Sequence, residues 1–145
     1  MDDELKRAII LENYQNPVNR GLVNDNTYCK INTNSKSCID QIDLEIKLVN
    51  GKIEDIHFDG EACAICTSST SIMIKKLIGT TLNDAIEIIN NFNNMIDEKE
   101  YNKDLLGEAF VYNGISKQPN RKNCATLTWN GIKDFLEVSD INERK

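Results

Sequence analysis

Three cysteines and one aspartate lie in separate parts of this 145-residue chain, and their side chains could together bind a metal. Cys38 and Asp40 form a Cys-x-Asp segment, Cys63 follows a predicted strand, and Cys124 precedes a predicted helix. Three thiolates and a carboxylate complete the tetrahedral shell of zinc, and thiolates also hold iron–sulfur clusters. The residue types leave three cases open: a zinc site, a 2Fe–2S site, or cysteines that are only small buried hydrophobes.

Residues 63–66 form a second pattern, Cys-Ala-Ile-Cys, whose spacing is typical of thiol–disulfide chemistry. A thioredoxin-like site needs a β-α-β unit around this motif, whereas an antiparallel hairpin is predicted to precede it here. We therefore expect Cys66 to be a packed thiol or a spare ligand that competes with Cys63. Cys29 is expected to have no role, and His57, the only histidine, is expected to be structural or exposed rather than a ligand.

Composition narrows the class of protein. The chain is 40% hydrophobic and 28% charged, which is typical of a globular protein without a membrane span. Its formal net charge of -6 argues against nucleic acid as the main partner, because binding phosphates relies on Lys and Arg. The acidic first residues do not resemble a secretory signal, so the expected location is the cytosol, where five cysteines favour metal or thiol chemistry over disulfides.

The first half of the chain predicts a helix and three strands. Apolar residues at helical spacing predict a helix over 4–14, and a short strand is expected over 28–32. Strict alternation of apolar and charged residues predicts a strand over 42–48. The Asn-Gly pair at 50–51 favours a type I′ turn, so residues 52–58 should return as the antiparallel partner strand.

The second half predicts helices. Thr67 and Ser68 are interpreted as the cap of a helix that Gly79 terminates. The remaining predictions are helices over 82–96 and 101–112, a loop over 114–120, and a last helix from Cys124 that frays after residue 139. Together these elements predict one α+β domain over residues 1–145, with a small three-stranded antiparallel sheet packed against several helices.

Four segments in the same order resemble the U-type iron–sulfur cluster assembly proteins, specifically the SufU-like branch. Residues 11–21, LENYQNPVNRG, resemble the opening helix and its Tyr-x-Asn-Pro-x-Asn-x-Gly turn. Residues 38–40, CID, match a Cys-Gly-Asp segment, and residues 58–73, FDGEACAICTSSTSIM, match Gly-x-Gly-Cys-x-Ile-Ser-x-x-Ser. Residues 119–129, PNRKNCATLTW, match Pro-x-Arg-x-Lys-Cys-Ala-x-Leu-x-Trp.

This resemblance implies that Cys38, Asp40, Cys63 and Cys124 bind zinc, and that Cys38 accepts sulfur from a cysteine desulfurase. Arg121 matches a family arginine beside the site, where it would pair with Asp40 or with the partner. Downstream cluster assembly proteins would be further partners. The chain departs from the pattern at four positions. Ile39 and Ala62 each replace a glycine, and Asn123 replaces a lysine. Cys66 stands where the family usually has serine.

The expected function is that of a zinc-dependent sulfur acceptor, acting like a sulfurtransferase in iron–sulfur cluster biogenesis. Two alternatives remain. The same ligands could hold a transient 2Fe–2S cluster on an assembly scaffold. Alternatively, the chain could be a small binding protein whose zinc is purely structural.

Overall fold

A three-stranded antiparallel sheet is the centre of the fold, as predicted. The computed structural model describes residues 1–34 and 40–144, with side chains up to residue 139. The sheet has the strand order β1 (Cys29–Asn34), β2 (Gln41–Val49) and β3 (Lys52–Glu61). Leu44 of β2 lies opposite Ile31 of β1 and Phe58 of β3.

The β2–β3 hairpin confirms the predicted turn and extends further than the sequence indicated. Asn50 and Gly51 have φ values of 53° and 75°, as a type I′ turn requires. β3 continues to Glu61, past the predicted end at residue 58. Gly60, at φ 134°, allows this extension, because a Cβ there would collide with the carbonyl oxygen of Gln41. The end of the strand is therefore held close to β2.

The fold has four α-helices: α1 (Asp3–Gln15), α2 (Ala64–Leu77), α3 (Leu82–Ile96) and α4 (Pro119–Arg144). α2 and α4 contact the strands, while α1 packs mainly on α2 and α3 mainly on α4. α1 and α3 confirm their predictions, and α2 ends before Gly79 as expected. Phe92 of α3 stacks on Trp129 of α4 at a centroid distance of 3.9 Å. Both rings are fully buried in a core that the helices share with the apolar face of β2.

The predicted start of α2 at Thr67 and Ser68 is wrong. The helix begins at Ala64, and its N-cap is Cys63, whose sulfur accepts the backbone N–H of Cys66. Thr67 and Ser68 lie inside the helix and are buried. Ser and Thr usually occupy helix ends because they compete for backbone hydrogen bonds, so buried hydroxyls within a helix are difficult to predict from sequence alone.

Buried hydroxyls join α2 to two other helices. Ser69 donates to the carbonyl of Ala125 at 2.6 Å and accepts the indole N–H of Trp129 at 2.9 Å. The hydroxyls of Thr70 and Thr128 lie 2.9 Å apart. Ser71 donates to the side-chain oxygen of Asn13 in α1 at 2.8 Å. The polar face of α2 is therefore buried, and its hydroxyl groups form hydrogen bonds with α1 and α4.

The C-terminal third also differs from the prediction. Residues 101–112 form two 3-10 segments, Lys103–Leu105 and Gly107–Tyr112, in place of one α-helix. Gly107 has φ 53°, outside the right-handed helical region, so one continuous α-helix cannot run through this residue. The predicted loop holds a further 3-10 turn, Ile115–Lys117, and α4 begins at Pro119, where proline suits the first helical position. The backbone of α4 stays helical to Arg144, beyond the predicted fraying point.

The irregular segment between α1 and β1 is fastened to the sheet by polar side chains. The buried carboxylate of Glu45 accepts the backbone N–H groups of Val23 and Asn24 at 2.6 Å and 3.1 Å. Asp55 accepts the hydroxyl of Tyr28 at 2.6 Å and lies 2.9 Å from Nε2 of His57. His57 is thus part of this attachment, in agreement with its predicted structural role.

Candidate metal centre

Asp40 and Cys63 meet at the end of the sheet where β2 begins and β3 finishes. Asp40 is buried, and its Oδ1 accepts the backbone N–H of Cys63 at 2.7 Å. Its Oδ2 lies 3.6 Å from the sulfur of Cys63. Cys63 is half-buried because the N-terminus of α2 starts directly after it. The antiparallel pairing of β2 and β3 thus brings the predicted carboxylate and the second predicted thiol together.

Cys124 completes a group of three. It lies in the second turn of α4 rather than at the start of the helix as predicted, because α4 begins at Pro119. The side chain is buried, and its sulfur lies 3.7 Å from the carbonyl oxygen of Asn120. One ligand atom each from Asp40, Cys63 and Cys124 lies within 4.8 Å of the others. Residues from three separate elements therefore converge on one point.

The distance between Asp40 and Cys63 fits a tetrahedral zinc ion. With Zn–O and Zn–S bonds of about 2.0 and 2.3 Å, tetrahedral geometry separates oxygen from sulfur by roughly 3.5 Å and two sulfurs by roughly 3.8 Å. The observed 3.6 Å between Asp40 Oδ2 and Cys63 Sγ is close to the first value. Two thiols and one carboxylate are also the ligand types that zinc accepts. The ligand types of the group and the distance between Asp40 and Cys63 both suit the ion.

A buried tyrosine lies behind the site and was not identified from the sequence. The hydroxyl of Tyr112 lies 2.5 Å from that of Ser68, one helical turn after the start of α2. Burial raises the pKa of Tyr112 far above its usual range, and the nearby thiols of Cys66 and Cys63 add to this effect, while the hydrogen bond with Ser68 opposes it. The environment behind the thiols is thus dry. No motif in the sequence indicates that Tyr112 lies beside the two thiols.

The other predicted site residues are placed as follows. Cys38, the predicted sulfur acceptor, lies outside the described residues, as does Ile39. Arg121 is exposed in the first turn of α4, and among the described residues no ion pair joins it to Asp40. Asn123 lies directly before Cys124 and is also exposed. Three of the four predicted ligands are therefore brought together, and the roles of Cys38 and Arg121 stay predictions.

Comparison with known proteins agrees with this geometry. Residues 5–125 match the family described as the NifU-like N terminal domain. The chain is 36% identical over 132 residues to the zinc-dependent sulfurtransferase SufU of Bacillus subtilis, covering 90% of this chain and 88% of that protein. It is 32% identical over 138 residues to the iron–sulfur cluster assembly scaffold protein IscU of Streptococcus pyogenes, covering 94% and 86%. The chain belongs to the NifU-like N-terminal domain family of SufU and IscU homologues.

A solved structure shows the same fold. The N-terminal part of a NifU-like protein from Brucella abortus superposes with a TM-score of 0.83, covering 99% of this chain and 98% of that one at 19% identity. The α+β architecture predicted from the sequence is thereby confirmed. Within the described residues, no helix is both long and apolar enough to cross a membrane. The cytosolic location and the single-domain organisation stay predictions.

Proposed function

We propose that this protein is a zinc-dependent sulfur acceptor in iron–sulfur cluster biogenesis, which takes persulfide sulfur from a cysteine desulfurase through Cys38. The observation that carries the proposal is the convergence of Asp40, Cys63 and Cys124 within 4.8 Å. The name of the Bacillus subtilis relative, a zinc-dependent sulfurtransferase, supports the same reaction. Cys38 would be the fourth ligand, because it lies two residues before Asp40 on the same short connection.

The protein's own residues would have distinct tasks. When bound, zinc would keep its cysteine ligands as thiolates. Asp40 is held in place by the N–H of Cys63, so it provides a fixed oxygen beside the sulfurs. Cys63 is the N-cap of α2, and Cys124 lies in the second turn of α4, so both are held by packed helices. Cys38 falls between β1 and β2 in the sequence, and it would be the ligand that exchanges.

The sulfur transfer balances in atoms and electrons. The thiolate of Cys38 attacks the outer sulfur of a persulfide on the desulfurase. A new S–S bond forms on Cys38, and the S–S bond of the donor breaks. The electron pair of that bond stays with the donor cysteine, which leaves as a thiolate. Arg121, exposed one turn before Cys124, would contact the partner or stabilise the anionic sulfur.

The test uses the zinc-loaded protein, its cognate cysteine desulfurase and cysteine. We expect the wild-type protein to accelerate alanine formation several-fold and to gain the mass of one sulfur atom on Cys38. Cys38→Ala should do neither, whereas the matched control Cys29→Ala, which changes an exposed cysteine of β1, should behave like wild type. Equal stimulation by Cys38→Ala, or none by the wild type, would contradict the proposal.

A second candidate function is that of a scaffold on which a 2Fe–2S cluster is assembled. It is favoured by the name of the Streptococcus pyogenes relative, an iron–sulfur cluster assembly scaffold protein, and by the thiol donors. Elemental analysis of protein purified without added metal separates the two candidates. Stoichiometric zinc supports the acceptor, while iron with acid-labile sulfide supports the scaffold.

A purely structural zinc is the remaining alternative. In that case a chelator should unfold the domain, and no desulfurase should respond to the protein. For a sulfur acceptor we expect the sheet and helices to survive metal removal, because Asp40 and Cys63 are linked by a hydrogen bond that needs no ion. Circular dichroism before and after chelation distinguishes these outcomes.

A further inference from the structure

Cys66 has no part in the proposed sulfur transfer, yet it lies one turn from a metal ligand. Cys63 is the N-cap of α2, and Cys66 is in the first turn of the same helix. The backbone N–H of Cys66 points at the sulfur of Cys63, at an N to S distance of 3.4 Å. Cys63 is half-buried, whereas Cys66 is fully buried.

We propose that Cys63 and Cys66 are an oxidation site, at which a hydroperoxide converts the two thiols into a reversible disulfide. Because one sulfur cannot both form this disulfide and bind the ion as a thiolate, oxidation would remove Cys63 from the metal ligands. The site would therefore release zinc under oxidation and recover it after reduction.

The local geometry supports a disulfide between these two residues. Side chains three positions apart in a helical turn lie on the same side, with Cβ atoms about 5–6 Å apart, and a disulfide needs Cβ atoms about 3.5–4.5 Å apart. The difference is small at a helix end, where Cys63 already has extended backbone angles of φ -66° and ψ 169°. The Cys66 sulfur is three bonds from the nitrogen that contacts Cys63, so a change of rotamer turns it toward the Cys63 sulfur. A small backbone shift at the N-cap, outside the helical hydrogen bonds, would close the remaining Cβ separation.

The exposure of the two thiols sets the order of events. A hydroperoxide reaches the half-buried Cys63 first, and the Cys63 thiolate attacks the terminal oxygen. This breaks the O–O bond and gives a sulfenic acid and one hydroxide or alkoxide, which takes a proton from water. The thiol of Cys66 then attacks the sulfur of this sulfenic acid and displaces water. Two electrons leave the sulfurs in total, and the peroxide accepts both. The buried Cys66 acts only in the second step.

Cys66 stands where the family that this chain resembles usually has serine. A serine could accept or donate hydrogen bonds there but could not close a disulfide. Zinc release depends on Cys63 being a ligand, as the proposed function has it. The disulfide itself depends neither on a metal nor on a desulfurase, so its failure and the failure of the proposed function can be told apart.

Trypsin digestion makes the test direct. Cleavage after Lys52 and Lys75 leaves Cys63 and Cys66 in one peptide, 53–75, and each of the other three cysteines in a peptide of its own. We expect hydrogen peroxide to lower the mass of peptide 53–75 by two hydrogens and to protect it from alkylation. A disulfide between any other pair would instead join two peptides.

The experiment uses the full chain, first without metal and then loaded with zinc, and follows released zinc with a chromogenic chelator. In the wild type we expect one zinc to leave as the disulfide forms and to rebind after a thiol reductant. In Cys66→Ser we expect Cys63 to be oxidised further to the sulfinic acid, so that the reductant does not restore binding. Cys29→Ser is the control and should follow the wild type.

Two results would overturn the proposal. One is a cross-link between the peptides of Cys63 and Cys124, which would identify a different disulfide. The other is irreversible oxidation of Cys63 at the same rate in the wild type and in Cys66→Ser, which would show that Cys66 does not react. Peptide mapping of the wild type alone distinguishes the disulfide within peptide 53–75 from both of these products, so the test does not depend on the folding of a variant.

Discussion

Gly131 of α4 lies directly against Thr33 of β1. A Cβ on Gly131 would be 2.5 Å from the Cγ2 methyl of Thr33, closer than two carbon atoms can approach. The hydroxyl of Thr33 donates to the carbonyl of Ile42 at 2.7 Å, which fixes the direction of that methyl group. This contact seats α4 on the edge of the sheet, seven residues after Cys124. The position of Cys124, one of the proposed metal ligands, thus depends on the absence of a side chain at residue 131.

Replacing Gly131 with alanine should therefore destabilise the protein. In a helix, alanine is more stable than glycine by about 1 kcal/mol. The clash of the new Cβ with Thr33 should cost about 1–3 kcal/mol and outweigh that gain. In a Thr33→Ser background the same substitution should stabilise the protein, because the methyl is absent and the hydroxyl hydrogen bond is kept. Urea unfolding of the four proteins measures both effects. A stabilising Gly131→Ala in the wild-type background would contradict the contact.

Ser69→Ala should remove about 1–3 kcal/mol from the free energy of unfolding, because it leaves the buried indole N–H of Trp129 without its acceptor. Trp129 is the only tryptophan, so its fluorescence follows unfolding and also reports the changed environment. Ser139→Ala is the matched control, since the half-buried Ser139 donates only to the carbonyl of Phe135 in its own helix and its loss should change stability by less than about 0.5 kcal/mol. Equal effects would argue against the buried bond.

Asp40→Asn should weaken zinc binding by roughly tenfold or more. Changing a residue that only hydrogen-bonds to a metal ligand already lowers metal affinity by about 10- to 100-fold. The amide oxygen can still accept the N–H of Cys63, so the fold should be retained. Competition against a chelator of known affinity gives the change. Asp43→Asn, an exposed carboxylate of β2, is the control and should leave the affinity unchanged. An unchanged affinity in Asp40→Asn would exclude Asp40 as a ligand.

Stability should fall at alkaline pH as Tyr28 ionises. The hydrogen bond to Asp55, with burial and the Asp55 charge, raises the pKa of Tyr28 from 10.0 to about 12. A raised pKa in the folded state stabilises the protein below the unfolded value of 10.0, and this contribution is lost between pH 10 and pH 12. Tyr28→Phe should be less stable than wild type below pH 10, and the difference should shrink above it. A constant difference across this range would contradict the assignment.

The sequence was sufficient for the sheet and for two of the helices, for a physical reason. The alternation over β2 and the Asn-Gly turn are local signals, and each needs only neighbours in the chain to act. The helical spacing over α3 is also local, and its N-cap Thr81 accepts the N–H of Asp84 as such a residue should. These elements were predicted within a few residues of their observed bounds.

The start of α2 and the helical segments before α4 could not be predicted in the same way. Residues 67–71 are all Ser or Thr, and only the contacts with α1 and α4 make them interior. Cys63 caps α2 with a sulfur atom, a choice outside the usual capping residues. The convergence of Asp40, Cys63 and Cys124 was expected from family motifs, since no short spacing joins them.

The hydroxyl groups along α2 have a consequence for the site at its tip. A helix that is packed only by apolar contacts can rotate or slide against its neighbours at little cost. Hydrogen bonds are directional, so those of Ser69, Thr70 and Ser71 fix the rotation of α2 about its own axis. Cys63 begins this helix, so the same setting decides where its sulfur points. The direction of the Cys63 side chain, a proposed ligand, is thus set by hydroxyl groups about two turns further along α2.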